Sequence, residues 1–337
     1  MFTFFIVLKG CVIMVAYKPG LEELKTIAKN SDYDILPVSQ ELFADIKTPI
    51  AVLKALKNVS DCCFLFESVE SGEKWGRYSF LGFDPSLGIS CKNHQMTVNS
   101  EEGTKKFYTD DPSGEIRKIL QKYKSPRFSF LPPLTGGLIG YFAYEYIRYS
   151  EKKLDFAEKE QDLNDVDLFL FDKIIAFDNL KQKIFLIVNI RTDDVEKNYK
   201  KAQLDLARLA DLVKNGRPFD EKPGRLTTPF TSEMSAAEYE KLVEKTKAYI
   251  KEGDIFQAVP SNRREAGFTG SLLNAYRVLR TTNPSPYMFY LSGREIELTG
   301  ASPETLVKLK DGKLATFPIA GTMPRGKNQA EDDALEE

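Results

Sequence analysis

The chain has 337 residues, of which 42% are hydrophobic and 28% are charged, as is typical of a globular protein with one large domain or two ordinary ones. The 47 Lys and Arg residues nearly balance the 49 Asp and Glu residues, so the formal net charge is −2 at pH 7. This balance gives no sign of the strongly basic surface that nucleic acids or anionic membranes attract, and we predict no partner of either kind.

The first residues carry a short apolar run, Phe2–Leu8, which Lys9 interrupts. The run is far shorter than the roughly 20 residues that a membrane-spanning helix needs, and no basic residue precedes it as in a signal peptide. We expect residues 1–16 to be a spurious upstream extension, with Met1 and Met14 both open as the translation start, and we expect the protein to be cytoplasmic.

Residues 17–215 form a first region, in which short strands rich in β-branched and aromatic residues alternate with turns. An amphipathic helix is predicted over Asp193–Val213, with Leu204, Leu206, Leu209 and Val213 on or near one face. The predicted strands are Phe64–Ser68, Tyr78–Gly82, Leu138–Phe142, Leu168–Phe171 and Ile184–Val188.

The cysteines and the single histidine give no sign of a metal or nucleophile site. The four cysteines lack C-x-x-C spacing, and Cys62 and Cys63 lie in an apolar run where buried free thiols are expected. His94 lies in a polar stretch that has the composition of a hairpin turn, so we predict a surface residue rather than a catalytic base. Because these cysteines are expected to remain free thiols, we predict a reducing compartment.

Glycines and prolines mark a linker over residues 216–232, and residues 233–337 form the second region. This region opens with Ser235 and Glu238, which match a helix capping box, and Gly253 is placed to end that helix. The elements predicted after it are a strand at Ile255–Val259, a helix at Ser271–Thr282, and strands at Tyr287–Leu291, Glu295–Thr299, Leu306–Lys310 and Leu314–Phe317. Short turns between strands, with few helical crossovers, predict antiparallel pairing and the α+β class.

Motifs that mark nucleotide-binding loops, zinc proteases and α/β-hydrolases are missing from the sequence. Gln257 is the polar residue inside the otherwise apolar strand predicted at Ile255–Val259, on the same face as Ile255 and Val259. From the residues alone, a satisfied buried amide and a functional amide are equally good interpretations.

The segment Pro318–Gly326 is a turn rich in Gly and Pro that also carries a Thr hydroxyl and an Arg, and such donors suit the binding of a carboxylate. Together with Asn283–Met288 and Gly300–Glu304, it resembles the chorismate-utilising enzymes, and most of all the large subunit (component I) of anthranilate synthase. The resemblance extends from about Tyr17 to Glu337. It implies antiparallel β-sheets packed on each other with helices outside, the C-terminal part being incomplete.

In the family, the residues matching Gly321 and Thr322 bind chorismate, so the resemblance implies a substrate site there, with Gln257 and Thr322 as catalytic residues. Isochorismate and salicylate synthases have a lysine at the Gln257 position that activates water, which a neutral amide cannot do. Aminodeoxychorismate synthases usually carry a nucleophilic lysine at the Ala320 position, and alanine has no such chemistry. Met323 departs from the family pattern, in which arginine is usual.

Leu65–Ser68, followed by Trp75–Gly82, resembles the family's Leu-Leu-Glu-Ser element, with Phe66 in place of the second leucine. Taken alone, this element also fits a strand end, and the Asn-Pro-Ser-Pro run a helix stop. In anthranilate synthase the two elements together bind the inhibitor L-tryptophan. A glutamate or a backbone carbonyl can hold its ammonium group, while proline and methionine suit a flat indole. The implied tryptophan-binding residues are Glu67, Ser68, Asn283, Pro284, Pro286, Tyr287 and Met288.

The Gly-Gly-x-x-Gly-Tyr-Phe strand of the family matches Gly136, Gly137 and Gly140, which we interpret as close packing of sheets rather than a phosphate cradle. The resemblance further implies that the last third of the subunit follows Glu337, with the glutamates that bind Mg²⁺ and the catalytic histidine. No metal ligand is therefore expected within this length.

The implied activity is that of a lyase, which converts chorismate and ammonia to anthranilate and pyruvate in the first step of tryptophan biosynthesis. A glutamine amidotransferase subunit would supply the ammonia, L-tryptophan would inhibit the enzyme, and this length alone would be inactive. Two alternatives stay open. One is aminodeoxychorismate synthase component I, and the other is a non-catalytic tryptophan-binding protein, if the gene ends at Glu337.

Overall fold

The computed structural model describes residues 4–8, 11–70, 74–151, 153–154, 163–319 and 323–336. The chain divides into a first unit, Met1–Asp220 with Ala275–Ala301, and a second unit, Glu221–Asn274 with Ser302–Glu337. From the sequence, residues 275–301 are predicted to lie in the second region. In the structure this segment belongs to the first unit, because a strand within it pairs with Cys63–Glu67.

The fold class is α+β, as predicted, and the strand pairs whose register the structure gives are antiparallel. In chain order the strands are β1 (Phe4–Leu8), β2 (Cys11–Val15), β3 (Tyr17–Lys18), β4 (Ile35–Phe43), β5 (Cys63–Glu67), β6 (Val69–Glu70), β7 (Lys74–Trp75), β8 (Tyr78–Phe83), β9 (Leu87–Lys92), β10 (Gln95–Ser100), β11 (Gly103–Tyr108), β12 (Gly137–Phe142), β13 (Val166–Phe171), β14 (Lys173–Asp178), β15 (Lys183–Arg191), β16 (Arg225–Leu226), β17 (Thr231–Ser232), β18 (Arg264–Glu265), β19 (Phe268–Thr269), β20 (Tyr287–Ser292), β21 (Glu297–Ser302), β22 (Lys308–Lys310) and β23 (Lys313–Ala315).

The helices are α1 (Leu21–Asn30), α2 (Pro49–Leu56), α3 (Pro112–Leu120), α4 (Val195–Asn215), α5 (Ala236–Glu252), α6 (Leu273–Thr282) and α7 (Gln329–Glu336). Two short 3₁₀ helices lie at Gln121–Tyr123 and Tyr144–Tyr149. Within the described residues, every helix is too short or too polar to serve as a membrane span.

Two large sheets form the core of the first unit. The larger has eight strands in the order β21-β20-β5-β8-β14-β15-β4-β3, and the smaller has five in the order β11-β10-β9-β13-β12. All five strands predicted in residues 17–215 are present, and each is rich in β-branched and aromatic residues.

The two sheets pack on each other through one apolar cluster, as the resemblance implies. Ile174, Ala176 and Phe185 of the large sheet meet Phe169 and Phe171 of the small sheet. Side chains alternate along a strand, so every second residue of β13, β14 and β15 contributes to this interior. Burying each large side chain contributes about 1.5–3 kcal/mol to stability, which makes the cluster the main source of stability between the sheets.

Helices cover the opposite face of the large sheet, again as expected. Helix α4 begins at Asp194, whose side chain accepts a hydrogen bond from the Lys197 N–H at 3.1 Å, and it packs on β15 and β4. Leu206 and Leu209 are buried under the helix. Leu204 was predicted on or near this face but is exposed, because at 100° per residue it lies away from the sheet.

The first helix of the second unit is α5, whose capping box is present as predicted. The Glu238 N–H donates to Ser235 Oγ at 3.3 Å, and the Ser235 N–H donates to the Glu238 carboxylate at 2.8 Å. Gly253 ends the helix at a φ of 82°, which is unstrained only for glycine. The strands of this unit are short and form the pairs β16–β19, β17–β18 and β22–β23.

The strand predicted at Ile255–Val259 is wrong, because this segment has irregular backbone and no described strand pairs with it. Phe256 is 99% exposed and Val259 is 83% exposed. Alternation of apolar residues indicates only that a segment can form a strand. A strand also requires a neighbour that accepts its N–H groups, and the adjacent β18 and β19 pair with other strands.

The predicted turn at His94 is confirmed, since Asn93 and His94 have φ values of 47° and 65° in the hairpin between β9 and β10. The turn at Asp311-Gly312 joins β22 to β23 in the same way. Cys62 and Cys63 are buried free thiols, as predicted.

Gly140 lies where two strands of the small sheet approach closely. A Cβ atom added to it would lie 1.9 Å from the carbonyl oxygen of Asp167 on β13. A Cβ added to Gly136 would lie 2.7 Å from Asn189 Nδ2. Close packing therefore describes Gly136 and Gly140, whereas a Cβ atom added to Gly137 would meet nothing within 4 Å.

We predict that Gly140→Ala lowers the free energy of unfolding by about 1–3 kcal/mol, because the backbone of β13 must move to admit the methyl group. Gly88→Ala is the matched control on the other side of β13. Its Cβ would meet the Phe169 ring at 3.7 Å, an ordinary contact. Urea unfolding of both variants measures the difference, and equal stabilities would contradict the prediction.

Asp167 lies on the same face of β13 as Phe169, at the border of the apolar cluster. Burial raises the pKa of its carboxyl to about 6, and Glu295 adds to this shift, against a hydrogen bond from Asn164 and the charge of Arg294. The folded chain therefore binds this proton more tightly than the unfolded chain does.

We predict that Asp167→Asn raises the free energy of unfolding near pH 7 but changes it little below about pH 4. In the wild-type protein, the stability contributed by the tighter binding of this proton is fully present below the unfolded pKa of 3.8, and it is lost as the pH rises through about 6. Urea unfolding across this range measures the difference between the two proteins.

Asp178→Asn is the control with the opposite sign. Burial would raise the pKa of Asp178, but hydrogen bonds from Arg77 and from two backbone N–H groups hold it below its usual range. Its contribution is present above the unfolded pKa and disappears in acid, so this variant should be least stable, relative to wild type, near pH 7. An Asp167→Asn protein less stable than wild type at that pH would contradict the prediction.

Candidate functional site

The structure brings the two predicted tryptophan-binding elements side by side in the first unit. Strand β20 pairs with β5 so that Met288 lies opposite Glu67. Two residues beyond the end of β5, the Val69 N–H donates to the carbonyl oxygen of Ser285 at 3.0 Å. The backbone at Ser68 and the Asn-Pro-Ser-Pro run are therefore neighbours.

The Glu67 carboxylate is bonded on both oxygens by side chains of α6. The Tyr276 hydroxyl donates to Oε2 at 2.7 Å, and Arg280 Nη2 donates to Oε1 at 2.8 Å. The Glu67 side chain is only 2% exposed, so its negative charge is compensated inside the protein rather than by water. Burial, together with the adjacent carboxylate, raises the pKa of the Tyr276 hydroxyl, which therefore stays protonated as the donor.

Sequence reasoning missed Tyr276 and Arg280. They are four residues apart and thus share one face of α6, which is the face that meets β5. The available signal was a tyrosine and an arginine at that spacing just before the Asn-Pro-Ser-Pro run. The sequence pattern alone does not show that their common partner is Glu67.

Ser68 is held by a close backbone approach. The Gly76 N–H donates to the Ser68 carbonyl oxygen at 2.7 Å. A Cβ atom at Gly76 would lie 2.5 Å from the Ser68 Cβ, so a residue with a side chain does not fit there without movement. Gly76 is a third residue of this site that was not singled out from the sequence.

The Asn283–Met288 segment presents a mixed surface. Asn283, Pro284, Pro286 and Tyr287 are exposed, and all four are predicted site residues. Met288 is almost completely buried within the first unit, so its side chain supports the segment from beneath rather than forming part of its exposed surface. The exposed prolines and the Tyr287 ring offer a rigid apolar face of the kind that an aromatic ligand contacts.

A second buried polar group lies next to this site on β20. Lys57 Nζ donates to the Tyr290 hydroxyl at 2.6 Å and to Glu297 Oε1 at 3.1 Å, and Tyr290 also donates to Glu297. Burial raises the pKa of the Tyr290 hydroxyl, with Glu297 adding to the shift. The Tyr276 and Tyr290 rings are 6.1 Å apart, so two compensated charge groups flank the same pair of strands.

The predicted chorismate residues are not assembled by the part of the chain that the structure describes. Gln257 is exposed on an irregular segment of the second unit. Gly321 and Thr322 lie outside the described residues, as does Ala320. Their roles in substrate binding and catalysis stay predictions.

A metal site is likewise not formed by the described residues, which contain no group of three or more His, Cys, Asp or Glu side chains that could hold an ion. The residues at hand therefore do not fit Mg²⁺, and we assign no chemical step to it. Beside Ser68, the described arrangement places backbone carbonyl groups next to the exposed prolines and the Tyr287 ring.

Comparison with known proteins gives a consistent result. A family model described as chorismate binding enzyme matches residues 62–337. The chain is 37% identical to anthranilate synthase component 1 of Acetivibrio thermocellus over 330 residues, covering 95% of this chain and 66% of that protein. It is 38% identical to the component 1 of Acinetobacter calcoaceticus over 329 residues, covering 94% of this chain and 65% of the relative.

Among solved structures, the chain is similar to anthranilate synthase component I from Streptococcus pneumoniae TIGR4. The TM-score is 0.57 and the sequence identity is 28%, covering 71% of this chain and 53% of that one. The chain spans just under two thirds of the length of the curated relatives. Since the family model matches well over half of its residues, the chain belongs to the family of chorismate-binding enzymes.

Proposed function

We propose that this chain is part of an anthranilate synthase large subunit, a lyase that converts chorismate and ammonia to anthranilate and pyruvate. The observation that carries the proposal is its similarity, over nearly its whole length, to proteins named anthranilate synthase component 1. The neutral Gln257 and the small Ala320 support it, because neither can act as the lysine that water-adding or aminodeoxychorismate-forming relatives use.

The proposal includes a glutamine amidotransferase subunit as the source of ammonia, and Mg²⁺ as cofactor, with ligands from sequence that follows position 337 in the longer relatives. It also includes a cytoplasmic location and feedback inhibition by L-tryptophan at Glu67, Ser68 and the Asn283–Met288 segment. The 337-residue length by itself is expected to be inactive.

We expect the product of the complete reading frame, supplied with chorismate, ammonium and Mg²⁺, to form anthranilate, which is detected by its fluorescence and identified by chromatography. Gln257→Ala should reduce the rate by about tenfold, the order of one lost hydrogen bond. Gln95→Ala, at another exposed glutamine, is the control and should leave the rate unchanged. Formation of isochorismate, salicylate or aminodeoxychorismate instead would show that the proposed reaction is wrong.

We expect L-tryptophan to stabilise the chain against unfolding, because its predicted site lies wholly within the first unit. A ligand at a hundred times its Kd adds about 2.7 kcal/mol to the free energy of unfolding. Thermal unfolding with L-tryptophan, and with D-tryptophan and L-phenylalanine as controls, measures this effect. No stabilisation, or the same stabilisation by all three amino acids, would contradict a specific tryptophan site.

A further inference from the structure

Glu67 already has a cationic partner inside the protein. Its carboxylate accepts hydrogen bonds from Arg280 and Tyr276, and almost none of its surface reaches water. A ligand ammonium group on the same carboxylate would place a second positive charge beside the Arg280 guanidinium. Two positive charges that share one carboxylate repel each other strongly in a poorly hydrated site. Direct contact between the ligand and Glu67 would therefore require the Glu67–Arg280 ion pair to break.

The ion pair involves the helix that leads directly into the Asn-Pro-Ser-Pro run. The Asn283 N–H donates to the Leu279 carbonyl oxygen at 2.9 Å, which joins the helix end directly to the Asn-Pro-Ser-Pro run. Two residues later, Ser285 is buried, and its carbonyl oxygen accepts the Val69 N–H. A continuous set of bonds thus runs from Glu67 through α6 to the backbone beside Ser68.

We propose that Glu67 is a positioning residue, which acts through Arg280 and Tyr276 to hold the Asn283–Ser285 backbone against Val69, rather than a residue that touches the ligand. The ligand's ammonium group is then taken by backbone carbonyl oxygens at the junction of the two segments. This inference rests on the proposed tryptophan site and says which residues hold that site in shape.

The chain offers a matched control pair in Arg148 and Asp165. Arg148 Nη2 donates to Asp165 Oδ1 at 2.7 Å, and the Arg148 side chain is 20% exposed, compared with 21% for Arg280. Asp165 also accepts from a tyrosine hydroxyl, that of Tyr149, at 2.7 Å. The two ion pairs therefore share their chemistry, burial and unit, but only the Glu67 pair is joined to the Asn283–Ser285 backbone.

The test compares Arg280→Met with Arg148→Met in the full chain. Calorimetric titration with L-tryptophan should show an affinity about tenfold weaker for Arg280→Met and within about twofold of wild type for Arg148→Met. Arg280→Lys, which keeps the charge, should recover part of the affinity. If Arg280→Met fails to fold, Tyr276→Phe, which removes only the hydroxyl donor, takes the place of Arg280→Met in the test.

A second measurement does not need tryptophan. Hydrogen exchange at the Val69 amide should be faster in Arg280→Met and unchanged in Arg148→Met. Only Arg280→Met loses the bond to Glu67 that, in this proposal, keeps the Ser285 carbonyl oxygen against the Val69 N–H. Wild-type protein that binds no tryptophan would remove the proposed site while this exchange difference still tested the positioning role.

Tighter tryptophan binding by Arg280→Met would overturn the inference, since it would mean that Arg280 competes with the ligand for Glu67. Equal losses of affinity in the two arginine variants, or equal Val69 exchange rates, would also overturn it. Equal affinities or equal exchange rates would mean that the Glu67–Arg280 pair stabilises the fold in general and does not position the Asn283–Ser285 backbone.

Discussion

The pairing of β20 with β5 is the interaction on which the rest of the first unit depends. It adds a strand from residues 287–292 to a sheet whose other central strands come from the first 191 residues, and it sets Met288 opposite Glu67. Without it, α6 and the Asn283–Ser285 backbone would have no fixed position relative to Ser68. A ladder of backbone hydrogen bonds therefore determines the geometry of the candidate site, whose side chains come from two distant parts of the sequence.

A buried carboxylate is costly unless its charge and its lone pairs are satisfied, and Glu67 shows how the fold meets that requirement. The cation comes from the last turn of α6 and the neutral donor from one turn earlier, so a single helix face supplies both. Such an arrangement stabilises one orientation of the helix strongly while contributing little net stability, because desolvation offsets most of the electrostatic attraction. Its value lies in specifying position.

What the sequence could predict was local. The capping box at Ser235, the hairpin turn at His94 and the apolar strands of the first unit each depend on residues close together in the chain, and they are present. The proposed tryptophan site was found through motif resemblance rather than through geometry. Tyr276 and Arg280 were missed because their partner is more than two hundred positions away, and no periodicity reports such a contact. The strand expected around Gln257 failed for a related reason, since alternation describes one strand and says nothing about its neighbour.

The late position of β20 in the sequence has a consequence for biosynthesis. Cys63 and Ser292, which are bonded across this edge, are 229 positions apart. At typical rates of translation, about 10–45 s pass between the synthesis of one and of the other. During that interval β5 is the outer strand of a nascent sheet, with unpaired N–H and C=O groups along an apolar sequence, which is the situation in which growing chains associate wrongly or recruit chaperones. The first unit therefore completes its sheet only after most of the intervening chain has left the ribosome.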